Sequence, residues 1–170
     1  MTAYVVLLRA VNVGGKGKLP MSELKAMCEA AGHAKVRTYI ASGNVVFDSG
    51  KSEARIKSEL EAALATYAGR PVGVLVRTAE EMAKVVTSNP FPKTPPNKAV
   101  AIFLDKAPPS DALSGVTGRK REEIRLGARE IYVHYSDGIG TSKLRIPAAK
   151  LGTARNMNTV AKLAAMASDL

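Results

Sequence analysis

The sequence predicts an α+β fold in which two βαββαβ units follow one another, each an antiparallel sheet with helices on one face. Three observations predict it. Short β-branched apolar runs alternate with segments of helical period. A complete βαββαβ order fits within residues 1–78 of the 170-residue chain. A proline-rich connector then leads to a second, partial run of the same order.

Residues 3–11 (AYVVLLRAV) are almost continuously apolar, as in a strand covered on both faces. Asn12 to Lys18 follow as a turn, with Gly14, Gly15 and Gly17 freeing the backbone. Pro20 suits the first helical position, where its missing N–H would be unpaired anyway. Met21, Leu24, Met27, Cys28 and Ala31 share one helical face, and Gly32 closes that helix. Val36–Ala41 and Asn44–Asp48 read as strands around a tight Ser42-Gly43 turn. Ile56, Leu60, Ala63, Leu64 and Tyr67 mark a second amphipathic helix ending at Gly69, and Val72–Arg77 is a further strand. This is the split βαβ order of ferredoxin-like, or α/β-plait, domains.

The second unit is assigned to residues 79–170. Thr78-Ala79-Glu80-Glu81 forms a capping box, and the helix it opens buries Met82, Val85 and Val86 before stopping ahead of Asn89-Pro90. PFPKTPPNK (residues 90–98) reads as a stiff extended connector. Ala99–Leu104 is a strand, Pro108–Leu113 starts a short helix, and Glu123–Leu126 with Glu130–Tyr135 form a hairpin around Gly127. Helical segments are expected at about 143–151 and 156–168, so that a helix stands where the sixth element should be a strand.

The formal net charge is +10, divided evenly between residues 1–78 and 79–170, which argues against a basic disordered tail. Residues 138–168 hold no acid but carry Lys143, Arg145, Lys150, Arg155 and Lys162, and residues 1–22 hold Arg9, Lys16 and Lys18 without an acid. Such fields attract phosphates and other anions, although a generally basic surface is the plainer alternative. The single cysteine, Cys28, excludes an intrachain disulfide and a Cys-rich metal site. With no signal-like N-terminus and no apolar run of spanning length, a cytoplasmic location and no membrane partner are expected. No cofactor or metal is called for: His33 and His134 are isolated, without acidic neighbours at ligand spacing.

Two stretches carry candidate chemistry. The loop Asn12-Val13-Gly14-Gly15-Lys16-Gly17-Lys18 lies between a strand and a helix, where backbone N–H groups can meet an anion. It matches neither a Walker loop nor GxGxxG, because Leu19 follows the lysine. Thr153, Arg155, Asn156, Asn158 and Thr159 crowd the start of the last helix, more polar side chains than capping requires, with one arginine able to fork onto a phosphate. Ser142-Lys143 has the composition of a Ser–Lys nucleophile pair, but adjacent residues rarely face each other.

LLRAVNVGGKGKLPMSELKAM, VRTYIASGNVVF, SDGIGTSKL and GTARNMNTVAKL, in that order, resemble the bacterial family known as domain of unknown function 1697. The likeness covers nearly the whole chain. It implies two joined ferredoxin-like units and no established activity. Carried over by motif, its signature positions are Arg9, Asn12, Gly14, Gly15, Lys18, Pro20, Thr38, Tyr39, Ser42, Gly43, Asn44, Lys143, Thr153, Arg155, Asn156, Asn158 and Thr159. The family usually places Trp between the last two asparagines; here Met157 stands there, which removes an aromatic stacking platform.

Three functions compete. The first is a non-catalytic protein that binds a phosphate-bearing small molecule or nucleic acid in a basic cleft shared by both stretches. Its RNA-recognition form is poor, since the RNP signature is missing and aromatics are 5% of the chain with no Trp. The second is an enzyme on a small anionic substrate, with Arg9, Lys18, Lys143 and Arg155 binding charge and Tyr39 or Asn44 positioning the reacting group. No nucleophile, base or paired carboxylate is evident for it. The third is an interaction module that forms a homodimer through a sheet edge. The first is preferred.

Overall fold

The computed structural model describes residues 1–9 and 18–170. Those residues form eight strands and four α-helices, arranged around two four-stranded antiparallel sheets. By compactness the chain divides into Met1–Ala83 with Lys162–Leu170, and Lys84–Ala161.

In the first unit β1 (Thr2–Leu8), α1 (Met21–Ala30), β2 (Ala34–Thr38), β3 (Asn44–Ser49), α2 (Glu53–Ala68) and β4 (Val74–Thr78) build a sheet of order β2-β3-β1-β4. Alternation along β1 decides which face is which. Tyr4, Val6 and Leu8 join Val45, Phe47, Val74 and Val76 against Leu24 and Cys28 of α1 and Ile56, Leu60 and Leu64 of α2. Val5, Leu7, Val46, Leu75 and Arg77 point to the opposite face and are also buried, which explains why β1 shows no polar alternation. Ser52 caps α2 by accepting from the Arg55 N–H at 3.2 Å, and Gly69 ends it in the left-handed conformation (φ +69°) that L side chains resist.

α3 (Ala79–Thr87) is opened by the expected capping box. The Glu81 N–H donates to Thr78 Oγ1 at 3.1 Å and the Thr78 N–H to Glu81 Oε1 at 2.9 Å. In the second unit β5 (Ala99–Phe103), β6 (Glu123–Leu126), β7 (Glu130–His134) and β8 (Thr153–Asn156) form a sheet of order β6-β7-β5-β8, and α4 (Met157–Ser168) follows β8 directly. Val100, Ile102, Leu104, Ile124, Ile131 and Val133 make its core, covered by Leu113, Val116, Leu144 and Ile146 from long connections.

Several elements differ from the sequence expectation. Pro20 precedes the helix with extended ψ (140°) and is not its first residue. The Ser42-Gly43 turn is longer than expected: β2 stops at Thr38, and Ile40 adopts φ +50°. The proline-rich connector bends into turns, with a 3-10 turn at Pro96–Lys98. No helix forms at 108–113, and 143–151 holds only a 3-10 turn at Pro147–Ala149. That segment is pinned open by Arg145, which pairs with Thr117 through two backbone hydrogen bonds of 2.9 and 3.0 Å. A strand, β8, stands directly before the last helix, which begins one residue later than expected.

A correspondence emerges that residue-by-residue comparison of the two halves does not reveal. Arg77 stands opposite Val5 on β4, and Thr78 behind it caps α3. Arg155 stands opposite Ala101 on β8, and Asn156 behind it caps α4 by accepting from the Thr159 N–H at 2.9 Å. Both arginines are buried, at 0% and 7% exposure, and each donates through Nη1 to the carbonyl of the residue before it at 3.0 Å.

His33, just past α1, is buried and stacks on Phe47 with ring centroids 4.0 Å apart and planes within 4°. Its Nδ1 lies 3.0 Å from Ser49 Oγ, while Nε2 has no protein partner among the described residues. Burial first, then the Lys51 charge, holds its pKa below the ordinary 6.5, with Glu59 opposing. The unfolded chain therefore takes up a proton near 6.5 that the folded chain refuses, so stability falls as pH drops below that value. The melting midpoint is expected to decline between about pH 7 and pH 5, and to decline less in His33→Gln. Equal slopes in the two proteins would remove His33 as the source.

Candidate functional site

The residues of the first basic stretch that the structure describes gather at the end of the first sheet where β1 finishes. The Leu8 N–H donates to the Gly43 carbonyl at 2.8 Å and the Arg9 N–H to the Gly73 carbonyl at 2.9 Å, so the β2–β3 turn and the start of β4 flank Arg9. The Arg9 side chain runs over Gly73: a Cβ there would lie 3.1 Å from Arg9 Cβ and 3.4 Å from its Cδ. Gly73 is thus a close-approach glycine, chosen for room.

Asn44 organises the turn. Fully buried and opposite Leu7, it donates from Nδ2 to the Tyr39 carbonyl and to Ser42 Oγ, each at 2.9 Å, while its own carbonyl accepts from the Tyr39 N–H. These bonds hold Ile40 in the left-handed region, uncommon for a β-branched residue and costing roughly 1–3 kcal/mol. Ile40 is nevertheless half exposed. Asn44 and Ser42 therefore set the turn's shape, and Tyr39 is partly exposed beside it.

At the same end of the sheet, Val72 leads from the end of α2 toward Gly73 and lines a cavity of about 170 Å³. Leu19, Leu64, Ala68 and Val72 supply apolar walls; Lys18, Arg70 and Tyr67 supply the polar groups, with no acidic side chain among the described residues of the lining. Arg70 has no motif in the sequence to mark it. Its only signal is its place directly after the helix-ending Gly69, at the C-terminal end of α2. Asn12, Gly14 and Gly15 lie outside the described residues.

The second basic stretch belongs to the other unit. Arg155 Nη1 donates to Thr153 Oγ1 at 2.7 Å as well as to Ala154, and burial pulls its pKa down to about 10. Asn156 is occupied as a cap, whereas Lys143 and Asn158 are exposed. Met157 is buried at the first position of α4 and fills space as an apolar side chain. Ser142 does not engage Lys143: its hydroxyl donates to Glu122 Oε2 at 2.5 Å and accepts from the Leu144 N–H at 3.2 Å. That bond and the Lys120 N–H keep the Glu122 carboxyl below its ordinary range. Cys28 is buried in the first core, and desolvation pushes its thiol up to about 12.

Residues 1–132 match a family model described as "Protein of unknown function (DUF1697)". Among solved structures, the conserved bacterial protein SP0830 from Streptococcus pneumoniae is similar in fold, with TM-score 0.79 and 24% identity over 98% of each chain. No curated protein matches the chain. None of the described helices is long and apolar enough to cross a membrane.

Proposed function

The chain belongs to the DUF1697 family, and from that premise we propose that it binds a phosphate-bearing ligand at the β1 end of its first sheet. The observation that carries this reading is the grouping of Lys18 and Arg70 around one cavity, with Arg9 laid over Gly73 next to cavity-lining Val72. Three cations and two tyrosines at one sheet end, with no acid among the described residues of the cavity lining, favour an anion there. Arginine offers a planar fork to phosphate oxygens and lysine a mobile point charge. Tyr39 and the Ser42–Asn44 turn shape the rim, and the glycine-rich segment containing Asn12, Gly14 and Gly15 joins Arg9 to Lys18 in sequence.

The ligand is read as a small molecule before nucleic acid, because the cavity is small and aromatic platforms are few. Lys143, Thr153, Arg155, Asn156 and Asn158 form a second polar set, in the second unit, that this binding reading does not use. The two sheets are read as tandem ferredoxin-like units divided after residue 78, supported by their matching strand orders and by the paired Arg77-Thr78 and Arg155-Asn156 junctions. A lone, buried cysteine accords with a cytoplasmic setting.

A thermal-shift series with a nucleoside monophosphate, a phosphorylated sugar and a single-stranded oligonucleotide tests the binding reading. At least one phosphorylated small molecule should raise the midpoint, by mass action, and raise it less in Lys18→Ala. Lys18 is exposed, so the substitution leaves the fold intact. A midpoint that none of the three probes moves would overturn it; a response to the oligonucleotide alone, weakening steeply with salt, would replace it with nucleic-acid binding.

A further inference from the structure

Resting on that reading, we infer that the ligand is a phosphate monoester of a compact apolar group about the size of one benzene ring, its apolar part in the Leu19–Leu64–Ala68–Val72 cavity and its phosphate on Lys18 and Arg70.

The cavity has two unlike parts. Its walls are the last turns of α2 (Leu64, Ala68), Leu19 just before α1, and Val72 just before β4, all apolar. Its charged groups, Lys18 and Arg70, each adjoin one of those walls in sequence, because Lys18 precedes Leu19 and Arg70 precedes Pro71-Val72. A purely ionic ligand such as inorganic phosphate would leave the apolar walls facing water. A purely apolar one would forgo both cations. A molecule with an apolar body and a doubly charged end satisfies each part with the chemistry it offers.

Volume sets the size of the body. A cavity of about 150 Å³ lined by aliphatic side chains accommodates one benzene molecule. The cavity is about 170 Å³, a size matched by a phenyl or branched five-carbon group. The charge follows from the lining: a phosphate monoester carries close to two negative charges at neutral pH, matching one lysine and one arginine. Tyr67, 46% exposed, also lines the cavity and offers it a hydroxyl and a ring edge.

Calorimetric titration with inorganic phosphate, phenyl phosphate and naphthyl phosphate tests the inference on the unmodified chain and on Ala68→Leu. Leucine keeps helix propensity at that position while filling the cavity. Phenyl phosphate should bind at least about tenfold more tightly than inorganic phosphate, the gain expected from burying one ring. Naphthyl phosphate should lose most of that gain, and so should phenyl phosphate on Ala68→Leu. Should Ala68→Leu fold poorly, the phenyl–naphthyl comparison on the parent still decides. Inorganic phosphate that binds as well as phenyl phosphate, or naphthyl that binds as well as phenyl, would overturn the compact apolar group and leave anion binding standing. Failure of all three probes would overturn both readings.

Discussion

Gly118→Ala is expected to destabilise the protein by about 3 kcal/mol, near the upper end of ordinary single substitutions. The cause is local and double. Gly118 has φ +70°, a conformation L side chains rarely adopt, and a Cβ built there would sit 2.0 Å from the Lys143 carbonyl oxygen and 2.7 Å from its carbon. Neither contact can be relieved by a rotamer, because both atoms are backbone. The Lys143 segment cannot retreat freely either, since its neighbour Arg145 is tied to Thr117 in both directions. Val116, Leu144 and Ile146 on these two segments cover the second core, so separating them exposes apolar surface. The midpoint of thermal unfolding should fall by roughly 6–12 °C for a chain of this size. Gly140→Ala is the control: its Cβ would meet nothing within 4 Å, and its midpoint should stay close to the parent's. Equal midpoints for the two variants would mean that the close approach at Gly118 is absent in solution.

Arg77→Ala should cost a comparable 3 kcal/mol or more. Arg77 is fully buried on the sheet face that also carries Val5, Leu7, Asn44, Val46 and Leu75, and it is among the largest wholly buried side chains of the described residues. Truncation removes a long packed stem, leaves a cavity, and takes from the Val76 carbonyl the guanidinium bond it now accepts. Urea midpoints measure the effect. Arg77→Lys is expected to recover only part of the loss, because an ammonium group cannot reproduce the planar fork. Full recovery by lysine would show that the stem, and not the hydrogen-bond geometry, accounts for the cost.

The first unit was legible in the sequence because its elements obey simple periodicities. The Leu24–Cys28 and Ile56–Leu60–Leu64 spacings face one core, and the capping box at Thr78 forms as its spacing requires. The second unit was not, and the reason is physical. Its sheet has the same kind of strand order, but segments 108–122 and 136–152 cover the core as loops pinned by backbone pairs, and loop segments leave no period to read. Strand β8 was hidden for a different reason. Thr153 and Arg155 stand opposite Phe103 and Ala101, on the face away from the Val100–Ile102 core, and are buried although polar, so the strand lacks the usual alternation of buried apolar and exposed polar residues. The polar crowd around Arg155 stands out in the sequence, but that two of its members are buried strand residues and one is a helix cap depends on the register to β5. At the candidate site the family motif marked Arg9, Tyr39, Ser42 and Asn44, while Arg70 and the apolar walls came into view only once α2 and β4 were placed side by side.

The buried sulfur of Cys28 has a practical corollary. Only thiolate reacts with alkylating agents, and this group is both shut away and held almost wholly as thiol at neutral pH. Since the chain has a single cysteine, each covalent adduct records one excursion in which α1 lifts away from its sheet. The molecule therefore carries an internal clock for the opening of its first unit, readable by mass alone and needing no engineered label.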